Sequence, residues 1–378
     1  MKSNWNYPTS IRFGAGRISE LGQACQELGI ERPLLVTDPD LAKLPPFEAA
    51  SHSLQAANLP VNAFTGVKGN PTEQNVLDGL YAFRAADCDG VVALGGGSPL
   101  DAGKTIALMA GQERPLWDFE DVGDNWKLVH EIGMAPVVSV PTTSGTGAEV
   151  GRASVITDET TKSKRLIFHP KMMPGRVIAD PELTVGMPAK LTAYTGFDAL
   201  AHCLEAFCAP GFHPMADGIA LEGLALIRDN LRKATTEPKN LEARGAMLTS
   251  SIMGAVAFQK GLGAIHSLSH PVGGRFDTHH GLLNAVFMPY VLAFNKSALE
   301  GKWERLSEVL GTDPLDWVIE LRRDLGIPNT LAELGIDESV LELASAATAD
   351  PSGATNPRPL DDAAHLQLLR NAFAGTLA

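Results

Sequence analysis

The chain has 378 residues, room for two or three domains, and its 44% hydrophobic and 20% charged residues supply ample core. Its 31 basic and 44 acidic side chains leave a net charge of −13. That field repels phosphate backbones and acidic lipid, so no nucleic-acid or membrane partner is expected. No apolar run approaches the roughly 20 residues that would span a bilayer. The opening MKSNWNYPTSIRFGAG, extended and turn-rich, lacks the apolar core of a secretory signal. Four cysteines (Cys25, Cys88, Cys203 and Cys208) form no C-x-x-C pair. A cytoplasmic enzyme acting on a small molecule is the expectation.

The first half alternates short apolar runs with helical stretches. Arg32–Asp38, Asp89–Gly97, Pro136–Gly145 and Arg176–Asp180 read as strands that end in turn residues. ISELGQACQELGI and PTEQNVLDGLYAFRAAD carry apolar residues at helical spacing between them. This order predicts βαβ units and a mostly parallel sheet covered on both faces. After about Pro188 the strands stop. Ala220–Ala234, Ala243–Gln259 and Asp316–Leu325 read as helices, separated by breaks at Ala209-Pro210-Gly211, Glu237-Pro238 and Ile327-Pro328. Ala349–Arg358 reads as a loop and Leu360–Phe373 as a closing helix. The expected fold is an α/β dinucleotide-binding domain over residues 1–185 and an all-helical, metal-binding domain over 186–378.

Two loops leave strands with the composition of ligand sites. In DGVVALGGGSPLDAGK, Gly95, Gly96 and Gly97 let the backbone approach a ligand, and the amides of the following helix favour an anion such as pyrophosphate. Ser98 and Asp101 resemble a capping box, with Pro99 suited to the first turn. The order differs from G-x-G-x-x-G, because the candidate ribose-binding acid, Asp38, ends an earlier strand. The second loop, PTTSGTGAE, offers the hydroxyls of Thr142, Thr143 and Thr146.

Histidines cluster at His266, His270, His279 and His280. His266 and His270 are four apart, as are Asp198 and His202 in FDALAHCLEAF, so on helices each pair shares a face. A carboxylate and imidazoles without thiolate suit Zn²⁺, Fe²⁺ or Mn²⁺ in a catalytic site.

Together GGGSPLDAGK, PTTSGTGAEV, FDALAHCLEAF and GLGAIHSLSHPVGGRFDTHHGLLNAVFMPYVLAFN resemble the iron-containing (group III) alcohol dehydrogenase family, in order and spacing over essentially the whole chain. The resemblance implies NAD(P) and one divalent ion, Fe²⁺ first and Zn²⁺ second. Its ligands fall on Asp198, His202, His266 and His280, with His270 beside the metal near the nicotinamide. Its cofactor residues fall on Gly95, Gly96, Gly97, Ser98, Asp101, Thr142, Thr143, Thr146 and Lys164. Asp38 matches the acid that favours NAD over NADP. Where many relatives have proline stands His279, a spare histidine. The full ligand set separates the chain from the metal-free maleylacetate reductases of the superfamily. A homo-oligomer, a dimer first, is expected from the same resemblance.

The implied reaction is reversible hydride transfer between a small primary alcohol and nicotinamide, giving an aldehyde, with His270 as proton relay. Lys260 and Arg152 are candidate cations for an ω-hydroxy acid or its semialdehyde, and Phe258 a candidate pocket wall. The rivals are a zinc-branch relative such as a glycerol dehydrogenase-like polyol oxidoreductase, and a metal-dependent hydrolase.

Overall fold

A computed structural model describes residues 7–161 and 163–377, so the first six residues of the extended opening lie outside it. The chain divides into two compact units. One comprises Tyr7–Thr143 and Gly147–Gly186; the other comprises Ser144–Thr146 and the chain from Met187 onward.

In the first unit β1 (Ser10–Phe13), α1 (Leu21–Glu27), β2 (Pro33–Val36), α2 (Pro45–Ala56), β3 (Asn62–Phe64), α3 (Glu73–Ala85), β4 (Gly90–Gly95), α4 (Gly97–Met109) and β5 (Val137–Pro141) follow one another. An antiparallel ribbon, β6 (Ala153–Asp158) and β7 (Ser163–Phe168), precedes β8 (Arg176–Ala179). The other six strands form one parallel sheet in the order β1-β8-β5-β4-β2-β3. The central strand β4 shows why its sequence is apolar throughout. Val91 and Ala93 pack with Val76, Leu80 and Ile106 on one face, while Val92 and Leu94 pack with Leu21, Ala24 and Leu54 on the other. Each fully buried aliphatic side chain contributes about 1.5–3 kcal/mol. The four strands expected from the sequence are all present. The edge strands β1 and β3 are three or four residues long, and the apolar residues of the ribbon are flanked by polar and charged ones, which is why composition does not mark them.

The second unit is helical: α5 (Ala189–Cys208), α6 (Pro214–Thr236), α7 (Leu241–Ala257), α8 (Ala264–Phe276), α9 (His280–Asn295), α10 (Lys302–Leu310), α11 (Pro314–Asp324), α12 (Ala344–Ala349) and α13 (Asp362–Ala374). The proline-bearing breaks fall between α5 and α6, between α6 and α7, and after α11, where proline cannot donate the helix hydrogen bond. The expected loop at Ala349–Arg358 contains a short 3₁₀ turn, Pro351–Thr355. α5 is buried almost all round, the mark of a central helix, and its Phe197, Ala201 and Leu204 belong to one large core with α6 and α9. Gly281 makes the close approach of α9 to α5 possible, because a Cβ there would lie 2.1 Å from the Tyr194 carbonyl oxygen. Among the described residues no helix is long and apolar enough to cross a membrane.

Candidate metal centre and cofactor loops

Three helices of the second unit bring the four expected donors together. α5 carries Asp198 and His202 one turn apart, α8 brings His266, and α9 starts at His280. From Asp198 Oδ1, the Nε2 atoms of His280, His202 and His266 lie 3.4, 3.8 and 3.9 Å away. Donors of Asp198, His202 and His266 all fall within 4.8 Å of one another. Ligand bonds of about 2.0–2.2 Å in a tetrahedron place neighbouring donors about 3.4 Å apart, so this set fits a divalent cation. Asp198 is 3% exposed, and a carboxylate facing three imidazole nitrogens in such a place is chemistry suited to an ion. His279 instead turns outward and rests on the Tyr194 ring.

Residues that the sequence reading passes over surround these donors. Asn284, one turn after His280, donates through Nδ2 to Asp198 Oδ1 at 2.9 Å. Glu205, three residues after His202, has Oε2 2.5 Å from His266 Nδ1 and accepts the Ile265 amide with Oε1 at 2.7 Å. Both sit at helical spacing from a donor, which is the signal that marks them. Asp350 carries no local signal: its Oδ2 lies 2.9 Å from His270 Nδ1 across 80 residues of sequence. With no cation bound, burial pushes the imidazoles of His202 and His266 down to about 4 and the Glu205 carboxyl up to about 8; a cation beside them favours the ionised carboxylate. Burial also opposes ionisation of Asp350, yet the hydrogen bond and charge of His270 hold its carboxyl below the usual range. The His270 ring stacks on that of His280 at 5.2 Å and meets His266 edge-on at 5.7 Å, adjoining the donors without being one of the four.

The substrate candidates fare unequally. Phe258 lies 5.1 Å from His202, ring to ring, and so adjoins the donors. Lys260 does not suit the role expected of it. Its side chain is 2% exposed, bonded to Asp217 and to the Phe207 carbonyl oxygen, so an internal carboxylate already neutralises it. Arg152 belongs to the other unit, half-buried, with its guanidinium 5.9 Å from the Phe168 ring centre and no carboxylate partner among the described residues.

In the α/β unit, strand register aligns the three loops. Val36 pairs with Ala93, and Gly95 pairs with Pro141, so Asp38, the triple glycine and Thr142-Thr143 follow the adjacent carboxyl ends of β2, β4 and β5. Ligands of such sheets sit along that edge. Gly95 has φ +147°, and a Cβ there would lie 2.6 Å from Pro99, so the turn requires glycine. Thr142 donates its amide to the Gly95 carbonyl oxygen, and Thr143 packs beside Gly96. Thr146 falls in the other unit, and Lys164 on β7. The expected capping box does not form: α4 starts at Gly97, Ser98 Oγ donates to the Gly69 carbonyl oxygen, and no side chain caps the helix. Asp101 is tied internally as well, accepting the Val155 amide with Oδ2 and pairing with the buried Lys104 through Oδ1. Each of its oxygens keeps a second lone pair, so these contacts hold Asp101 in place at the start of α4 without displacing the cofactor role that the resemblance implies.

Glu149, at the end of the threonine loop, is buried beside Lys104, and burial pushes its carboxyl up to about 7. The folded protein therefore keeps this proton longer than the unfolded chain, and stability falls as pH rises from about 4.5 to about 7. Glu149→Gln should flatten that decline in urea-melting free energy and raise stability at pH 8, on the order of 3 kcal/mol at most.

A family model described as iron-containing alcohol dehydrogenase matches residues 8–181, and one for the C-terminal part of the Fe-containing alcohol dehydrogenase family matches residues 192–373. A 4-hydroxybutyrate dehydrogenase of Cupriavidus necator is 40% identical, over 97% of this chain and 99% of its own. A 1,3-propanediol dehydrogenase of Klebsiella pneumoniae is 36% identical over 96% of each. The crystal structure of a 1,3-propanediol oxidoreductase is similar with a TM-score of 0.94 at 35% identity, covering 99% of this chain and 100% of that one.

Proposed function

The chain belongs to the iron-containing alcohol dehydrogenase family and is a metal-dependent oxidoreductase of alcohols; from there we propose that Asp198, His202, His266 and His280 hold its ion. The observation that carries this is the convergence of three Nε2 atoms within 3.9 Å of Asp198 Oδ1. When bound, the ion supplies Lewis acidity that lowers the pKa of an alcohol oxygen. NAD supplies the hydride acceptor.

This chain's own side chains do the rest. Asn284 and Glu205 fix Asp198 and His266, so the donors are held before any ion arrives. His270 exchanges the substrate proton at Nε2, since Asp350 occupies its Nδ1. Phe258 covers the His202 side and excludes water. Gly95, Gly96, Gly97 and Ser98 receive the diphosphate, Thr142, Thr143, Thr146 and Lys164 flank the dinucleotide, and Asp38 selects NAD over NADP. The native ion is Fe²⁺, and the protein works as a cytoplasmic homodimer. Metal-stripped protein reloaded with Fe²⁺, Zn²⁺ or Mn²⁺ and followed at the NADH absorbance band tests the assignment. Alcohol turnover should return with the ion, Fe²⁺ giving the highest rate, and rates indifferent to reloading would sink it.

The substrate is a short primary alcohol, with the ω-hydroxy acid that the Cupriavidus relative is named for first in line. Of the two candidate cations for its carboxylate, Lys260 is already paired with Asp217, while Arg152 has no carboxylate partner among the described residues. Arg152→Ala should lower kcat/KM for 4-hydroxybutyrate about 10–100-fold relative to 1-butanol, since a charged hydrogen bond is worth about 1.5–3 kcal/mol. Lys260→Ala should leave that ratio unchanged. Equal ratios in wild type and Arg152→Ala would remove Arg152 from the site.

A further inference from the structure

The histidine donors differ in what stands behind their outer ring nitrogens. Behind His280 is the hydroxyl of Ser269, 3.4 Å from Nδ1, and beside His202 is the backbone of Gly145, both neutral. Behind His266 is the Glu205 carboxylate, 6% exposed, with one oxygen on Nδ1 and the other on the Ile265 amide in the first turn of α8. Glu205 is seven residues from Asp198 and three from His202, so one stripe of α5 carries two donors and the group that grips a third.

Given the ligand set proposed above, we infer that Glu205 is a positioning residue that makes His266 the anchor ligand, leaving His280 the exchangeable one. An imidazole whose outer N–H meets a carboxylate keeps its other lone pair inward and becomes a stronger donor. Two further features agree. His266 is 2% exposed while the His280 side chain is 27% exposed, so solvent or a competing chelator reaches His280 first. The second Glu205 oxygen pins the backbone next to His266, fixing the ring in place as well as its tautomer. Glutamine cannot imitate this, because it has one acceptor oxygen for two N–H groups. With that oxygen on the Ile265 amide, its NH₂ faces Nδ1, and the imidazole proton is driven to Nε2, the nitrogen that faces Asp198.

The test is Co²⁺ titration of metal-stripped full-length protein, by competition with a chelating dye and by the d–d absorption of the bound ion. Glu205→Gln should weaken Co²⁺ binding about 10–100-fold and shift the d–d bands. Ser269→Ala, which removes a long and weak contact, should cost less than about threefold. Glu205→Asp keeps the charge at a shorter reach and should fall between wild type and Glu205→Gln, and it serves if the glutamine variant melts too low to titrate. Glu205→Gln affinity within threefold of wild type with unshifted bands, or Ser269→Ala as damaging as Glu205→Gln, would overturn the assignment. Wild-type protein that binds no Co²⁺ would instead overturn the ligand set, and Glu205's role with it.

Discussion

Asp198→Asn is expected to lower kcat for alcohol oxidation at least about a thousandfold, the equivalent of about 4 kcal/mol. The substitution preserves shape and keeps an oxygen for the Asn284 amide to bond, so the local packing survives. The only negative charge among the four converging donors is lost. Metal content of the purified variant, by mass spectrometry, should fall well below that of wild type. Wild type should also gain thermal stability on reloading, about 4 kcal/mol at a thousandfold excess over Kd, and Asp198→Asn should gain little. A variant that keeps its ion and turns over within tenfold of wild type would remove Asp198 from the centre.

How far this centre is legible in the sequence depends on the reach of each interaction. Asp198 with His202 is a spacing within one helix, and helical periodicity reveals it directly. His266 with His270 has the same spacing. Their rings nonetheless serve different neighbours, since Nδ1 of His270 meets an aspartate 80 residues away that no local pattern announces. Glu205 sits at a visible spacing, yet a glutamate on a helix ordinarily reads as a solvated face, and only the burial of α5 changes its meaning. Lys260 shows the converse. Its place near His266 in sequence suggests a substrate cation, but a lysine with a four-carbon stem is claimed by whatever acid the fold brings near, here Asp217 from another helix. The parallel strands β2, β4, β5 and β8 are apolar on both faces and stand out. The edge strands β1 and β3 are short, and the ribbon's apolar residues, Val155, Ile156 and Leu166–Phe168, are flanked by polar and charged ones, so neither stands out.

Asp38→Asn is expected to shift cofactor preference toward NADP, raising kcat/KM for NADP about 10–100-fold and lowering that for NAD up to about tenfold. Asp38 stands just past β2, level with Gly95 at the end of β4, on the edge where the three loops align. Its Oδ1 accepts the amides of Asp40 and Leu41 at 3.0 and 2.8 Å, which pins the turn. Its Oδ2 has no hydrogen bond among the described residues and is the oxygen that can take a ribose hydroxyl. Asparagine keeps the turn-holding oxygen while cancelling the charge, so the change isolates electrostatics from backbone geometry. Two like charges about 4 Å apart repel by about 4 kcal/mol near a protein surface, and solvent around this half-buried group reduces that to the range quoted. High salt should narrow the wild-type preference for the same reason, and should leave that of the variant almost unmoved. If NADP kinetics are the same in both proteins at low salt, the discrimination resides elsewhere on the sheet edge.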